Sequence, residues 1–162
     1  MPGCCTLPDS NEKVSVVPAP TNREGERCPS CGAKGKHVER LTVKAMLAVS
    51  LRRLGAQRYR FCRTPACPVV YFAEDADEQF TVDEVRERVF QKEPEADDVF
   101  VCYCFRHTRG ALRQAAPPDH ARIVEEIEAG IQAGQCACEL RNPQGSCCLG
   151  NVRAVTNRAT AQ

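Results

Sequence analysis

The chain contains twelve cysteines in 162 residues, and all of them fall in close pairs. Thiolate sulfur binds zinc, iron and copper(I) well, and two sulfurs that are close in sequence reach one metal ion at little cost in chain entropy. Cysteines that only fill a core would be scattered along the chain. The pattern therefore predicts metal sites, and the pairs are Cys4/Cys5, Cys28/Cys31, Cys62/Cys67, Cys102/Cys104, Cys136/Cys138 and Cys147/Cys148.

A disulfide framework is the first alternative, because an even number of cysteines is common in small secreted proteins. The first residues, Met1-Pro-Gly-Cys-Cys, lead into polar and proline-rich sequence and not into an apolar signal segment. The longest apolar run nearby, residues 45–49, is far too short to cross a bilayer. We therefore expect a cytoplasmic protein without membrane insertion, in which thiols stay reduced and cysteine pairs more often bind metal.

The composition limits the kind of core and the kind of partner that we expect. The chain is long enough for one domain or two small ones, and it has no tryptophan and only 6% aromatic residues. A large apolar core is hard to build from these residues, so metal sites are expected to supply part of the folding free energy. The net charge of +1 gives no support to a phosphate-binding surface, and we expect no nucleic-acid partner.

Changes in composition along the chain predict an α+β protein built from two small modules. Residues 1–26 are rich in proline and polar residues without a sustained period, and we expect a flexible tail that carries the first cysteine pair. Residues 27–93 are expected to form a small β-rich module with two cysteine knuckles, followed by a charged linker at 94–98. Residues 99–159 are expected to form a small helical module.

Local patterns predict the elements of each module. Runs of β-branched and aromatic residues indicate strands, and glycine or proline after an apolar period indicates where a helix stops. In the first module we expect a helical stretch at 44–54 and strands at 37–42, 58–61, 69–72 and 86–91. In the second module we expect an extended apolar stretch at 99–105 and helices at 108–116, 119–133 and 149–157.

The first two cysteine pairs after the tail have the spacing of a structural zinc site. Cys28-x2-Cys31 and Cys62-x4-Cys67 are knuckles that point both sulfurs inward, and two knuckles complete a tetrahedron. Four protein ligands leave no position for water or substrate, so this zinc would stabilise the fold and would not act as a catalyst. A rubredoxin-like iron site has similar chemistry, and zinc ribbons also occur in nucleic-acid binders, so the spacing indicates fold more than function.

The remaining cysteines indicate an iron–sulfur cluster. Two iron atoms need four thiolates, two for each iron, and the Cys-x-Cys pair at 102 and 104 can supply neighbouring ligands at one end. Two predicted helices between the pairs would return the chain to its starting point. A zinc site is the competing interpretation. Adjacent cysteines are not expected to bind one cluster together, and six cysteines are available for four positions: Cys102, Cys104, Cys136, Cys138, Cys147 and Cys148.

Two motifs in this order resemble a known family. Val101-Cys-Tyr-Cys104, the helix–turn–helix spacer and the segment from Cys138 to Cys148 are similar to the [2Fe-2S] module of the bacterioferritin-associated-ferredoxin (BFD) class. The preceding motifs, Cys28-Pro-x-Cys31 and Phe61-Cys-x4-Cys-Pro-Val-Val-Tyr-Phe72, extend the resemblance to the N-terminal region of iron–sulfur copper chaperones of the CopZ type. The resemblance covers about residues 27–150.

The resemblance implies the ligands of both centres. It implies zinc in the first module, on Cys28, Cys31, Cys62 and Cys67. It implies a [2Fe-2S] cluster in the second module, on Cys102, Cys104, Cys138 and Cys148, with Cys147 as the alternative fourth ligand.

The chain departs from the family pattern at two places. The simpler ferredoxin class ends in Cys-x2-Cys, whereas nine residues separate Cys138 from Cys148 here. CopZ-type chaperones also have a C-terminal heavy-metal domain with a Met-x-Cys-x2-Cys copper loop, and that loop does not occur before Gln162. We therefore do not expect copper transfer by that domain. The resemblance implies the redox and zinc-binding half, acting on copper ions beside a separate copper chaperone or copper-exporting ATPase.

The cysteines outside these two sets can bind a soft ion. Closely spaced thiols suit copper(I) or mercury(II), so a copper(I) site is expected to draw on Cys4, Cys5, Cys136 and Cys147. The alternative for the first pair is a tail whose thiols are free or oxidised by chance. His107 could tune a cluster from behind Cys104, but an isolated histidine more often faces solvent.

The sequence favours one-electron transfer in copper handling, with copper(II) reduced to the copper(I) that thiolate chaperones carry. It shows no substrate pocket, nucleotide loop or catalytic triad, so we do not expect a conventional enzyme. The alternative is a thiol-rich metallochaperone or metal sensor in which both metal centres are structural. A zinc-ribbon nucleic-acid protein is a third hypothesis, which the balanced charge disfavours.

Overall fold

The computed structural model describes residues 25–160, in which a β-sheet comes first and most of the helices follow. The expected tail, with Cys4 and Cys5, lies outside the described residues except for its last two positions. The strands in this range are β1 (Lys36–Val38), β2 (Tyr59–Phe61), β3 (Val69–Ala73), β4 (Gln79–Thr81), β5 (Phe100–Cys102) and β6 (His107–Thr108). The helices are α1 (Arg40–Met46), α2 (Arg109–Gln114), α3 (Pro117–Gln132), α4 (Cys138–Arg141) and α5 (Leu149–Thr160). The predicted α+β class is confirmed.

The first four strands form one antiparallel sheet in chain order. All five residues of β3 are buried, as its Val-Val-Tyr-Phe-Ala sequence predicts for a strand covered on both faces. Phe61 and Tyr71 pair across β2 and β3, with ring centroids 6.0 Å apart. Val43 of α1 and Leu47, directly after its last residue, complete the core on this side of the sheet. The strands predicted at 58–61 and 69–72 are confirmed to within a residue or two.

Helix α1 begins earlier than predicted and replaces the second half of the expected strand. Strand β1 ends at Val38, and the helix starts at Arg40. The sequence placed the β-branched Thr42 at the end of the strand, but Thr42, Val43 and Met46 lie at helical spacing and are all buried. The predicted helical stretch at 44–54 is therefore only partly helical, since after α1 only a 3-10 turn at Leu51–Arg53 follows.

The strand predicted at 86–91 is wrong, and a strand that the sequence did not indicate, β4, completes the sheet. Val85 makes only an isolated bridge with Leu47, and the residues after it turn. Strand β4 has only three residues and follows an acidic turn, so the sequence carries no clear strand pattern there. It leads into a 3-10 turn at Val82–Glu84, where the Glu84 carboxylate accepts a 3.0 Å hydrogen bond from the Thr81 backbone N–H.

Three helices of the second half, α2, α3 and α5, follow the predictions closely. The Thr108 hydroxyl caps α2 by accepting a 3.2 Å hydrogen bond from the Ala111 backbone N–H. Helix α3 starts at Pro117, two residues before its expected start, because proline fits the first turn, where the backbone N–H has no helical partner. Gly134, at φ +68°, ends it as predicted. Helix α5 packs against α2 and α3. Within residues 25–160 no helix has the length and hydropathy that a membrane span requires.

The loop between α4 and α5 lies directly on the first sheet. The buried Tyr71 hydroxyl of β3 donates a 2.6 Å hydrogen bond to the Pro143 carbonyl oxygen. Gly145 has a φ of +64°, and a Cβ atom there would lie 2.9 Å from the Thr42 hydroxyl oxygen. Lys36 Nζ donates to Ser146 Oγ at 2.5 Å. The two halves therefore share a buried contact, whereas the module boundaries and the linker at 94–98 stay predictions.

Candidate metal centres

The Cys28/Cys31 pair lies in a tight backbone turn. The Gly32 N–H donates to the Cys28 carbonyl oxygen at 2.8 Å, and the Cys28 N–H donates to Ala33 at 2.9 Å. Gly32 has a φ of +70°, a conformation that favours glycine. This turn brings the sulfurs of Cys28 and Cys31 to the same side of the chain.

The Cys62/Cys67 pair lies in the connection between β2 and β3. Cys62 directly follows β2, and its N–H donates to the Val70 carbonyl oxygen at 2.9 Å. The Cys67 N–H donates to the Thr64 carbonyl oxygen at 3.2 Å, which closes the loop. Because the two strands are neighbours, the sheet itself holds this pair in place, facing the first.

The four sulfurs of these two pairs form one compact group. They lie within 4.8 Å of one another, with 3.8 Å between Cys28 and Cys67 and 3.6 Å between Cys31 and Cys62. A tetrahedral zinc with Zn–S bonds of about 2.3 Å requires sulfurs about 3.8 Å apart. Three of the four side chains are buried, and Cys31 is exposed. The arrangement fits a zinc ion with four thiolate ligands.

Local contacts set the protonation of these thiols. Burial raises the pKa of Cys28 to about 12. A hydrogen bond with the Thr64 hydroxyl, 3.4 Å from the Cys31 sulfur, lowers the pKa of Cys31 to about 6. Because metal ligands must be thiolates, zinc binding displaces the proton from Cys28, and the lowered pKa of Cys31 favours its thiolate form. Thr64 was not predicted as part of the site, although its position between Cys62 and Cys67 was a signal for it.

A second group of sulfurs forms where three segments of the later half meet. Cys102 ends β5, Cys138 begins α4, and Cys148 directly precedes α5. The Cys104 and Cys138 sulfurs are 3.8 Å apart. Three of these four cysteines are buried and Cys104 is partly exposed. The group packs among apolar side chains of the second core, including Leu112 and Val152.

Hydrogen bonds join the second group. A hydrogen bond with Cys148 lowers the pKa of Cys102 to about 7 and that of Cys138 to about 6, while the pKa of Cys148 itself is raised well above its usual range. Burial raises the pKa of Cys104 to about 11. The Ala137 backbone N–H donates to the Cys104 sulfur at 3.3 Å. Such N–H groups stabilise charged metal-bound thiolates, and no side-chain motif could have predicted this one.

The spare cysteines lie beside this second group. Cys147 is exposed, although its neighbour Cys148 is buried. Cys136 is partly exposed. Burial is the largest cause of its raised pKa, and the charges of Cys138 and Cys147 raise the pKa further. His107 pairs with Cys102 across β5 and β6, and burial lowers its pKa. The histidine is thus half-buried, whereas the sequence had favoured a histidine that faces solvent.

Lys92 connects the knuckle of Cys62 and Cys67 to the segment that leads into the second half. Its ammonium group donates to the Thr64 carbonyl oxygen at 2.9 Å, and the residue is buried. The same segment contacts Tyr103, whose hydroxyl accepts from the Phe90 N–H at 3.0 Å and donates to the Arg88 carbonyl oxygen at 2.7 Å. Tyr103 lies between the two cysteines of the 102/104 pair. Hydrogen bonds of residues 88–92 therefore connect the loop between Cys62 and Cys67 to the 102/104 pair.

The chain is similar in sequence and in structure to known proteins. A family model described as a zinc binding domain, of CopZ type, matches residues 25–86. The copper chaperone CopZ of Archaeoglobus fulgidus is 37% identical over 122 residues, which are 75% of this chain and 57% of that protein. The X-ray structure of the Archaeoglobus fulgidus CopZ N-terminal domain is 34% identical and matches with a TM-score of 0.65 over 80% of this chain and 96% of that one. This chain belongs to the CopZ family.

The CopZ match is uneven along the chain. The zinc-binding model includes all four cysteines of the first group and ends at residue 86, before the second group begins. The match to the solved CopZ domain covers four-fifths of the chain, so it extends beyond the zinc-binding part. The chain spans 57% of the length of the CopZ relative. The predicted resemblance to the CopZ N-terminal region is confirmed.

Proposed function

We propose that this chain is a cytoplasmic CopZ-type protein that transfers one electron in copper handling and reduces copper(II) to copper(I). Zinc is held by Cys28, Cys31, Cys62 and Cys67. A [2Fe-2S] cluster is held by Cys102, Cys104, Cys138 and Cys148. The zinc module corresponds to residues 27–93 and the cluster module to residues 99–159.

One observation carries this proposal: four cysteines from three separate segments meet in an apolar pocket with one partly exposed edge. Within residues 25–160, only the first group has all its sulfurs within 4.8 Å of one another, as a single tetrahedral ion requires. The second group is more open, with Cys104 and Cys138 as a close pair. An open set of four thiolates suits two metal atoms better than one.

The zinc site acts as a structural clamp. Four sulfurs leave no coordination position for water, so the ion cannot supply a nucleophile or polarise a substrate. The sheet that carries Cys62 and Cys67 also supplies Tyr71, which holds the Pro143 carbonyl oxygen of the loop before Cys148. The first centre thereby positions a ligand of the second.

The second group is built for outer-sphere electron transfer. A [2Fe-2S] cluster, when bound, stores one electron. Burial of Cys102, Cys138 and Cys148 keeps water away from the sulfurs, and the Ala137 N–H stabilises negative charge on Cys104. The partly exposed Cys104 is the edge at which a copper(II) ion can approach. A reduced cluster held by these four cysteines would supply one electron to copper(II), giving copper(I) and the oxidised cluster without any change of bond or proton.

Spare thiols beside the cluster can retain the product. Cys136 and the exposed Cys147 lie next to the second group, and soft thiolate sulfur favours copper(I) over copper(II). Cys4 and Cys5, outside the described residues, offer a second pair. From there copper(I) would pass to a separate copper chaperone or copper-exporting ATPase, in keeping with the name copper chaperone that the Archaeoglobus relative carries.

The experiment combines metal analysis with single-turnover reduction of copper. Protein purified without oxygen is expected to be red-brown and to contain zinc, iron and sulfide. After reduction with dithionite and removal of the excess, it should convert copper(II) to copper(I) as the visible band of the oxidised cluster returns. Thiols can also reduce copper(II), so the control is a Cys102→Ser, Cys104→Ser variant that keeps Cys4, Cys5, Cys136 and Cys147.

Two results would overturn the proposal. A colourless protein that contains only zinc would exclude the cluster. Equal rates of copper reduction in the wild type and the control variant would show that free thiols are the electron source. Either result would favour the alternative function, a thiol-rich metallochaperone or sensor whose metal centres are structural.

A further inference from the structure

A groove opens between the two halves of the protein, next to the second cysteine group. Its volume is about 160 Å³, and residues of both halves line it. Its apolar lining includes Met46 of the first half together with Phe100 and Tyr103 of the second. Leu140, a large apolar side chain that stays 43% exposed, also lines it. Apolar side chains between two elements suit a protruding side chain of a partner protein.

The rim of this groove is positively charged. Arg86, Arg106 and Arg141 line it, against one carboxylate, Glu87. Among the residues that the structure describes, these three arginines have no carboxylate partner within ion-pair distance. Glu139, exposed on α4 beside Leu140, is a further acidic group near the rim. The groove therefore carries an excess of uncompensated positive charge.

The groove arginines differ in this respect from most of those that line a second cavity. That cavity is lined by Arg109, Arg113 and Arg158, of which the first two pair with Asp97 at 2.5 and 3.0 Å. Two of the groove arginines are instead held by uncharged partners. The Arg106 guanidinium lies 4.3 Å from the centre of the Phe100 ring, and Arg86 Nε donates to the Leu47 carbonyl oxygen at 2.9 Å. These contacts orient the side chains and leave their charge free for a partner.

The charged rim lies where an electron would leave the second centre. Arg106 is two residues from Cys104, the partly exposed member of the group. Arg141 is on α4, the short helix that begins with Cys138. The sulfurs of these two cysteines are 3.8 Å apart, so the two arginines that line the groove belong to segments that meet at this pair. Electron transfer becomes steeply slower with distance, and a partner must therefore dock close to this edge.

We propose that the groove rimmed by Arg86, Arg106 and Arg141 is the docking surface for an acidic partner protein that exchanges electrons with the second centre. The partner presents carboxylates to the three guanidinium groups and an apolar side chain to Phe100 and Leu140. Arginine is the cation best suited to bind carboxylates, because its planar fork makes two parallel hydrogen bonds. The electron-transfer role of this surface rests on the proposed function, whereas the binding itself does not.

Direct binding provides the first test and does not depend on the cluster. The probe is a short fluorescein-labelled peptide rich in glutamate with one central leucine, and its counterpart has lysine in place of each glutamate. Fluorescence anisotropy at low salt measures binding to the zinc-loaded wild-type protein. We expect the glutamate peptide to bind and the lysine peptide not to bind. Added salt should weaken the binding, because exposed charges are screened.

The decisive variant is Arg106→Gln, Arg141→Gln, which removes two positive charges from the rim. It should weaken binding of the glutamate peptide about fivefold or more, since each lost contact is a charge-assisted one. The matched control is Arg52→Gln, Arg158→Gln, which removes two other arginines without ion-pair partners among the described residues, both away from the groove. The control should bind like the wild type. Equal weakening in both variants, or none in the first, would overturn the docking surface.

Oxidation of the second centre provides the test of the electron-transfer role. Trianionic ferricyanide and tricationic hexaammineruthenium(III) serve as oxidants. For each oxidant, the rate of oxidation of the wild-type protein is compared with the rates of the variants. Salt should slow the reaction of the wild type with ferricyanide, and the Arg106→Gln, Arg141→Gln variant should lose this effect, while the control variant keeps it. A salt dependence that is unchanged in the groove variant would overturn the role. A protein without any visible band would overturn the proposed function instead, and the peptide result would still decide the docking surface.

Discussion

Cys147 and Cys148 are adjacent in the chain and differ in their surroundings. Cys148 is buried, and hydrogen bonds join it to Cys102 and Cys138, whereas Cys147 is exposed. The two could not be told apart by spacing alone. A signal was nevertheless present, because 148, 152 and 155 are at helical spacing and Val152 and Val155 are both buried on α5. The apolar face of the helix that follows thus points to Cys148 as the inward cysteine.

This difference gives a prediction with a built-in control. Cys148→Ser should abolish the visible absorption and the iron content of the second centre, because it removes the sulfur that joins two other members of the group. Cys147→Ser should keep at least most of both. Visible spectra and iron analysis of the two variants, purified without oxygen, make the comparison. Loss of colour in Cys147→Ser alone would reassign the fourth ligand.

At the first centre, each sulfur is expected to contribute to folding. Cys67→Ser should remove the bound zinc and lower the free energy of unfolding by more than about 4 kcal/mol, the range in which loss of a metal site falls. Cys136→Ser, at a partly buried cysteine outside both groups, is the control and should keep its zinc. Zinc analysis and urea denaturation test this. Normal zinc content and stability in Cys67→Ser would contradict the four-sulfur site.

At the scale of elements, the sequence predicted what local chemistry determines and missed what tertiary packing determines. Strand β3 and the capped helix α2 were predicted, since a β-branched aromatic run and a threonine N-cap are local signals. Helix α4 was not, because four residues carry no period and its position depends on packing against α1. Strand β4 likewise exists through its pairing with β3. The cysteine pairs were recognised from spacing, whereas the position of Cys138 in the second group depends on α4, which was not predicted.

Strand β3 and the loop after α4 are joined by a hydrogen bond that can be tested. Tyr71→Phe leaves the buried Pro143 carbonyl oxygen without its partner and should cost about 1–2 kcal/mol. It should also speed the loss of the second centre, since the loop leads to Cys148. Tyr59→Phe is the matched control, because that hydroxyl bonds to Glu78 within the first half. Bleaching in air, followed at the visible band, should be faster only in Tyr71→Phe; equal rates would contradict the link.

At the scale of the whole molecule, the two halves are expected to unfold together. Their contact is buried, and it includes hydrogen bonds from both β1 and β3 to the loop between α4 and α5. Far-UV circular dichroism reports both halves, and the visible band reports the second. The two signals should therefore change at the same urea concentration, as expected for one cooperative transition. Transitions that are separated in the wild type would show that the halves are independent.

Two glycines test this coupling. Gly145→Ala places a methyl group 2.9 Å from Thr42 and Val38 and should separate the halves, so that the visible band is lost at lower urea than the circular dichroism signal. Gly134→Ala is the control. It has nearly the same positive φ, +68° against +64°, and nothing lies within 4 Å of the added methyl group. Both variants carry the backbone strain, of the order of 1 kcal/mol, and only the first carries the clash.

The hydrogen bond from Tyr71 to Pro143 also bears on how a cell matures this protein. A ribosome releases Cys67 long before Cys148, so the zinc site can be complete while the later ligands are still being synthesised. The loop that presents Cys148 then docks on a sheet that zinc has already stabilised. Chains made under zinc starvation should therefore lack both metals, whereas chains made under iron starvation should carry zinc alone. Metal analysis of protein from the two cultures would reveal this order of loading.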